Sequence, residues 1–210
     1  MIKNLAELFG VTKLSAFCPD GRTCAFTGHR PQNLPFRFNE SDKRCIALKK
    51  QLRKLIVQLI EQHNVTHFIS GMAIGVDMYA AEIVLDLKAK YPHITLESAI
   101  PCETQATKWS EPLRDRYFKI AERCDKETML QTQYTPDCMQ KRNRYIGAHL
   151  HGLHHLSSNL VALLDVGGDA NDLSLLTGAA AEQGVTPKQM RSAKRIHSTP
   201  TTVRLRKIFI

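Results

Sequence analysis

Phe68-Ile69-Ser70-Gly71-Met72-Ala73-Ile74-Gly75-Val76-Asp77 reads as a buried strand, a loop bounded by two glycines, and the first turn of a helix. A strand that passes straight into a helix belongs to a βαβ unit, and a chain of such units builds a mostly parallel sheet flanked by helices. The rhythm repeats on both sides of this junction. Thr23-Cys24-Ala25-Phe26-Thr27 is a β-prone run ending in the loop Gly28-His29-Arg30-Pro31. From Ser41 to Gln62, Leu48, Leu52, Leu55, Ile56, Leu59 and Ile60 recur at helical spacing with Lys43, Lys49, Lys50, Arg53 and Lys54 between them. That pattern predicts an amphipathic helix covering a sheet.

Further along, Val65 to Ser70 is a strand, and Val76 to Lys90 a helix that stops where Pro92 turns Tyr91 away from helical geometry. Ile94 to Ile100 is the next strand. Thr107 to Cys124 reads as a helix, with Pro112 marking either its true start or a kink. Glu127 to Leu130 is a short strand, Met139 to Tyr145 a short helix, Asn159 to Leu164 the last clear strand, and 177–184 a brief Ala-rich helix closed by Gly184. The expected fold is an α/β, Rossmann-like three-layer domain over 23–187. An extension over 1–22, ending in the Pro19-Asp20-Gly21 turn, precedes it, and a basic tail over 188–210 follows.

Composition narrows the setting. A chain of 210 residues with 43% hydrophobic and 23% charged residues has enough apolar side chains for one core without disulfide or metal staples. Cys18, Cys24, Cys45, Cys102, Cys124 and Cys138 include no CxxC pair, which favours free thiols in a reducing compartment. Glu7 interrupts the N-terminal apolar run, and no longer apolar stretch follows, so neither a signal peptide nor a membrane partner is expected and a cytoplasmic setting is. The formal charge of +9 points to polyanionic partners. Lys188, Arg191, Lys194, Arg195, Arg204, Arg206 and Lys207 gather without an acidic residue between them. That tail is either solvated or a contact surface for nucleic-acid phosphates.

Three stretches carry candidate chemistry. In the first, Ser70, Gly71, Gly75 and Asp77 sit where small residues let backbone amides approach a ligand and where a helix N-terminus favours negative charge. A tight turn with Asp77 as helix cap is the alternative. No Gly-Lys-Ser or Gly-Lys-Thr is present, so this is not a P-loop. The second is Thr27, Gly28, His29 and Arg30, again at a strand end, where the Arg30 guanidinium is suited to a phosphate. The third, Gln133 to Tyr145, combines amides and aromatics with Lys141, Arg142, Asn143 and Arg144, a set suited to base stacking and phosphate neutralisation as well as to a solvated helix.

Thr23 to Pro31, Ile69 to Asp77, Ile100-Pro101-Cys102-Glu103-Thr104-Gln105 with Lys108-Trp109, and Gln133 to Tyr145 resemble, in order, the motifs of the YpsA-like family of bacterial proteins. That family falls within the Smf/DprA–LOG grouping, whose Rossmann-like members include a single-stranded-DNA-binding factor and nucleotide phosphoribohydrolases. The resemblance implies a nucleotide-type pocket formed by these loops, with Pro101 and Glu103 beside it. After Tyr145 the chain departs from the family. Relatives carry a Trp-Asp-Gly strand end, Gly-Gly-Thr and a helix; here stand Leu163-Leu164-Asp165-Val166-Gly167-Gly168-Asp169, preceded by His149-Leu150-His151-Gly152-Leu153-His154-His155. Divergence and an altered reading frame both produce such a stretch over 147–175. No acidic or Cys partner stands at metal-ligand spacing from those histidines, so no metal or other cofactor is expected beyond the nucleotide-like ligand itself.

These readings converge on a nucleotide- or nucleotide-derivative-binding sensor or regulator. One alternative is a phosphoribohydrolase-like enzyme, for which Glu82 and Glu103 are the available carboxylates, although neither lies in the glutamate motif those enzymes use. The other is a DprA-like single-stranded nucleic-acid binder. The sequence is compatible with a monomer or a homo-oligomer.

Overall fold

The computed structural model describes residues 22–151, 162–166 and 205–209, with side chains described for 23–26 and 28–146. In chain order they form β1 (Arg22–Gly28), α1 (Lys43–His63), β2 (Val65–Ser70), α2 (Val76–Leu87), β3 (Thr95–Ile100), α3 (Glu111–Ala121), β4 (Lys126–Met129), α4 (Cys138–His151), β5 (Ala162–Val166) and β6 (Leu205–Phe209), with one-turn 3-10 helices at Pro31–Asn33 and Glu103–Ala106. The strands make one sheet in the order β4-β3-β2-β1-β5-β6. Neighbours from β4 to β5 are parallel, and β6 is antiparallel to β5. The expected Rossmann-like α/β fold is the one observed.

Local chemistry sets the elements. The apolar stripe of α1 is buried at every position read from its spacing, Leu48, Leu52, Leu55, Ile56, Leu59 and Ile60. Asp42 caps the helix by accepting from Arg44 N at 2.8 Å, and Asn64 ends it in left-handed geometry. α3 starts at Glu111 rather than Thr107, because Glu103–Ala106 forms a separate turn and Pro112 occupies the first helical turn, where its missing N–H costs nothing. α4 runs longer than Met139 to Tyr145. Leu205–Phe209, inside the stretch expected as a basic tail, is an edge strand.

Right-handed crossovers place α1, α2 and α3 on one face, over a core holding Cys24, Phe26, Phe68, Leu96 and Ile100. The chain then reverses direction, so α4 crosses the other face, against β1 and β3. The reversal lies between β1 and β5, and open α/β sheets bind ligands at such a point, beyond the strands' C-terminal ends. None of the described helices is long and apolar enough to cross a membrane. Cys45, Cys102, Cys124 and Cys138 are free thiols. The readings for 1–21, Cys18, residues 159–161, the Gly167-Gly168 loop, the 177–184 helix and the tail over 188–204 lie outside the described residues, as do the side chains of Thr27, His149 and His151 and the rest of the histidine run.

Candidate functional site

The loop after β2 is locked by its own hydrogen bonds. Ser70 is fully buried; its Oγ donates to Asp77 O at 3.0 Å and accepts from Met72 N at 3.2 Å. Ala73 N donates to Asp77 Oδ2 at 3.4 Å, and Val76 N to His29 O at 3.4 Å. Three amides expected to face an anion are therefore directed at protein acceptors. Gly75, not Asp77, caps α2, and its φ of 105° is open to glycine; a Cβ there would also stand 2.7 Å from His29 O. The β1 and β2 loops interlock through these contacts, and His29 takes part through its carbonyl. Met72 holds a φ of 54° with its side chain fully buried, a strained geometry kept by its surroundings.

What faces outward is a cavity of about 250 Å³. Arg30 and Gln32 come from the β1 loop, Ala73 and Ile74 from the β2 loop, Gln105 and Trp109 from the segment after β3, and Met139 and Arg142 from α4. The segments that follow β1, β2, β3 and β4 thus each contribute a wall. Arg142 is held by Asn143, whose Oδ1 accepts from Nε at 3.1 Å and Nη2 at 2.8 Å, and by Gly71 O, which accepts from Nη1 at 3.3 Å. Both acceptors are neutral. Gly71 makes room for this seating: a Cβ there would lie 2.7 Å from Arg142 Nη1 and 2.9 Å from Asp77 Oδ2. Arg30 is exposed. The Trp109 ring stands edge-on to Tyr117, centroids 5.5 Å apart, which fixes the indole in the wall.

The remaining sequence candidates divide clearly. Asn143 is 4% exposed and acts behind Arg142. Pro101 is buried, Glu103 exposed at the start of a 3-10 turn, Gln133 and Arg144 exposed, and Lys141 paired with Asp137 at 3.2 Å. None of these lines the cavity. Glu82 lies in a separate depression with Asp115 and Lys119. Arg116 grips it through Nε and Nη2, both at 2.6 Å, and also binds Glu40.

The model of the family YpsA, described as the YspA SLOG family, matches residues 24–157. The chain belongs to that family. It is 38% identical over 98 residues to a UPF0398 protein of Brevibacillus brevis, a match covering 46% of this chain and 52% of the relative. Against a UPF0398 protein of Halalkalibacterium halodurans it is 30% identical over 134 residues, 63% of this chain and 70% of the relative. The UPF0398 protein YpsA of Bacillus subtilis is 28% identical over 109 residues, 52% of this chain and 59% of the relative. The matches thus span between about half and 70% of these relatives' length.

In this YpsA-family chain, sequence reasoning passed over two things. Of the lining residues, Gln32 lies in no motif read from the sequence, Gln105 and Trp109 were legible only through the resemblance, and Met139 only as part of the Gln133 to Tyr145 stretch. The second is Glu97, fully buried in mid-β3. Its Oε1 accepts from Tyr145 OH at 2.6 Å and Thr128 Oγ1 at 2.8 Å; its Oε2 meets His67 Nε2 and Lys126 Nζ, each at 3.1 Å. Burial alone pushes the carboxyl up, but hydrogen bonds from His67, Tyr145, Thr128 and Lys126 outweigh it and hold the group down at about 2. A lone acid inside Ile94 to Ile100 was the available signal.

Proposed function

We propose that the cavity binds a nucleotide or nucleotide derivative and that the chain works as a sensor or regulator of that ligand. The observation that carries this reading is the cavity's lining: two guanidiniums, Arg30 and Arg142, that form no ion pair among the described residues, beside a fixed indole and two side-chain amides. Guanidiniums match phosphate oxygens, and a flat apolar face suits a base. A volume just under the roughly 300–1,000 Å³ of typical ligand sites favours a mononucleotide over a dinucleotide. Binding without turnover is favoured because no carboxylate lines the cavity among the described residues, while cleavage of an N-glycosidic bond calls for one near the forming oxocarbenium ion. Glu82 is engaged by Arg116, and Glu103 stands outside the lining.

Calorimetry of the full chain with adenosine 5′-monophosphate and ribose 5-phosphate tests the reading. Saturable binding of both is expected, weakened about 30-fold by Arg142→Gln, since hydrogen bonds to charged groups contribute about 1.5–3 kcal/mol. Folded protein that binds no phosphate-bearing ligand overturns it. Chromatography of the same mixture should show no free adenine.

A further inference from the structure

Helix α1 turns a basic face to solvent that the fold does not use. The helix carries six Lys and Arg residues and one acid, Glu61. Three of the cations are engaged: Arg44 with Asp42 at 2.6 Å, Lys49 with Glu40 at 2.5 Å and Arg53 with Asp86 at 3.6 Å. Lys43, Lys50 and Lys54 are exposed or nearly so along one side and form no ion pair among the described residues. Helical geometry places these three within a sector of about 40° and spreads them over about 16 Å, a row rather than a point of charge. The segment leading into α1 adds a ring. Phe38 is 54% exposed, whereas the two apolar residues before it, Leu34 and Phe36, are buried. Between them and Phe38, the exposed Arg37 holds a φ of 48°, left-handed geometry that is strained for a residue with a side chain, and its N–H donates to Leu34 O at 3.0 Å. Asn39 Oδ1 accepts from Ser41 N at 3.1 Å on the far side. Phe38 is thus fixed outside the core by an anchored, strained turn, the kind of feature that gathers at contact sites.

We infer that this surface binds a single nucleic-acid strand, with its phosphates along Lys43, Lys50 and Lys54 and a base stacked on Phe38. A row of unpaired cations gains most from a partner whose charges are also in a row, because each phosphate neutralised releases condensed counterions. An exposed ring beside such a row stacks any base, whatever its identity. A membrane surface fits less well: a helix lying in lipid needs apolar residues along its outer face, and the large apolar residues of α1, Ile46 excepted, pack on the core. None of these residues lines the cavity, so the inference goes beyond the nucleotide reading and stands or falls apart from it.

The test is fluorescence anisotropy of the full chain with a labelled oligothymidylate of about 20 nucleotides, titrated across salt concentrations. Binding is expected, with a log–log salt slope of about −2 from the three lysines. The combined variant Lys43→Gln, Lys50→Gln, Lys54→Gln should bind about tenfold more weakly and lose that part of the slope. Phe38→Ala should also bind about tenfold more weakly, with the slope kept, since stacking releases no counterions. All four positions are on the surface, so both variants should melt as the native chain does and keep its affinity for ribose 5-phosphate. No binding of the oligonucleotide by the native chain overturns the inference and leaves the nucleotide reading standing. So does unchanged binding by either folded variant. Displacement of the oligonucleotide by phosphatidylserine vesicles or polyglutamate at equal charge concentration overturns it too, because these carry the charge without the bases.

Discussion

Helix α4 covers two polar clusters, and they differ in how completely their atoms are used. Beneath Tyr145, the Glu97 carboxylate receives four bonds on two oxygens and is shut away from water. One turn earlier on the same helix, Arg142 is held by neutral oxygens, and Oε1 of Gln105, a residue of the same cavity lining, has no partner among the described residues. A closed polar network stabilises a fold, whereas one left partly unpaired beside a cavity keeps groups available to a partner from outside. On the nucleotide reading proposed above, the first cluster serves stability and the second the ligand.

The strongest way to break that assignment is to open the closed cluster. Glu97→Ala strips the acceptor from His67, Lys126, Thr128 and Tyr145 at once, and should lower the unfolding free energy in urea by about 3–5 kcal/mol, the range for breaking a buried charged network. A loss under about 1 kcal/mol would mean the cluster does not hold α4 to the sheet.

Acid titration sharpens the same point. The Glu97 carboxyl is depressed from 4.5 to about 2 in the folded chain, so its contribution is fully present above 4.5 and fades as pH falls from there toward 2. That difference corresponds to on the order of 3 kcal/mol. Other acids, Glu40 among them, are also held low, so the informative quantity is the stability of the native chain minus that of Glu97→Gln. It should be constant above pH 5 and shrink steadily below pH 4.5; a difference independent of pH down to 3 would contradict the ionised, bonded carboxylate.

How much of this was written in the sequence depends on which force places the residue. The α1 stripe, the strand and glycine-loop junctions and the parallel sheet follow from periodicity and turn chemistry, which act locally. Helical spacing also separates Arg142 from its neighbours: Met139, Arg142, Asn143 and Ile146 share one inward face of α4, while Lys141 and Arg144 point to solvent, so three cations that look alike in a row are unequal. Where the loop amides go was not legible, because Ser70, His29 and Asp77 take them through contacts that depend on two loops meeting. Glu97 was hidden for the same reason, since its partners come from β2, β4 and α4. Leu205–Phe209 carried enough charge to read as a tail, yet Leu205, Ile208 and Phe209 gave it the apolar content to join the sheet.

The most discriminating change is also the smallest. Asn143→Asp keeps the shape of a buried side chain and the acceptor that Arg142 bonds through Nε and Nη2, and it adds a negative charge beside the guanidinium. The open cluster would then resemble the Arg116 pair, where Glu82 and Glu40 absorb the cation. Geometry in the cavity is retained while its positive potential is largely cancelled. Ribose 5-phosphate affinity should therefore fall about tenfold, with a shallower dependence on salt, and the melting temperature should hold or rise slightly. Unchanged affinity in a folded variant would mean that the phosphate does not meet Arg142, and that the distinction between the two clusters under α4 is one of packing alone.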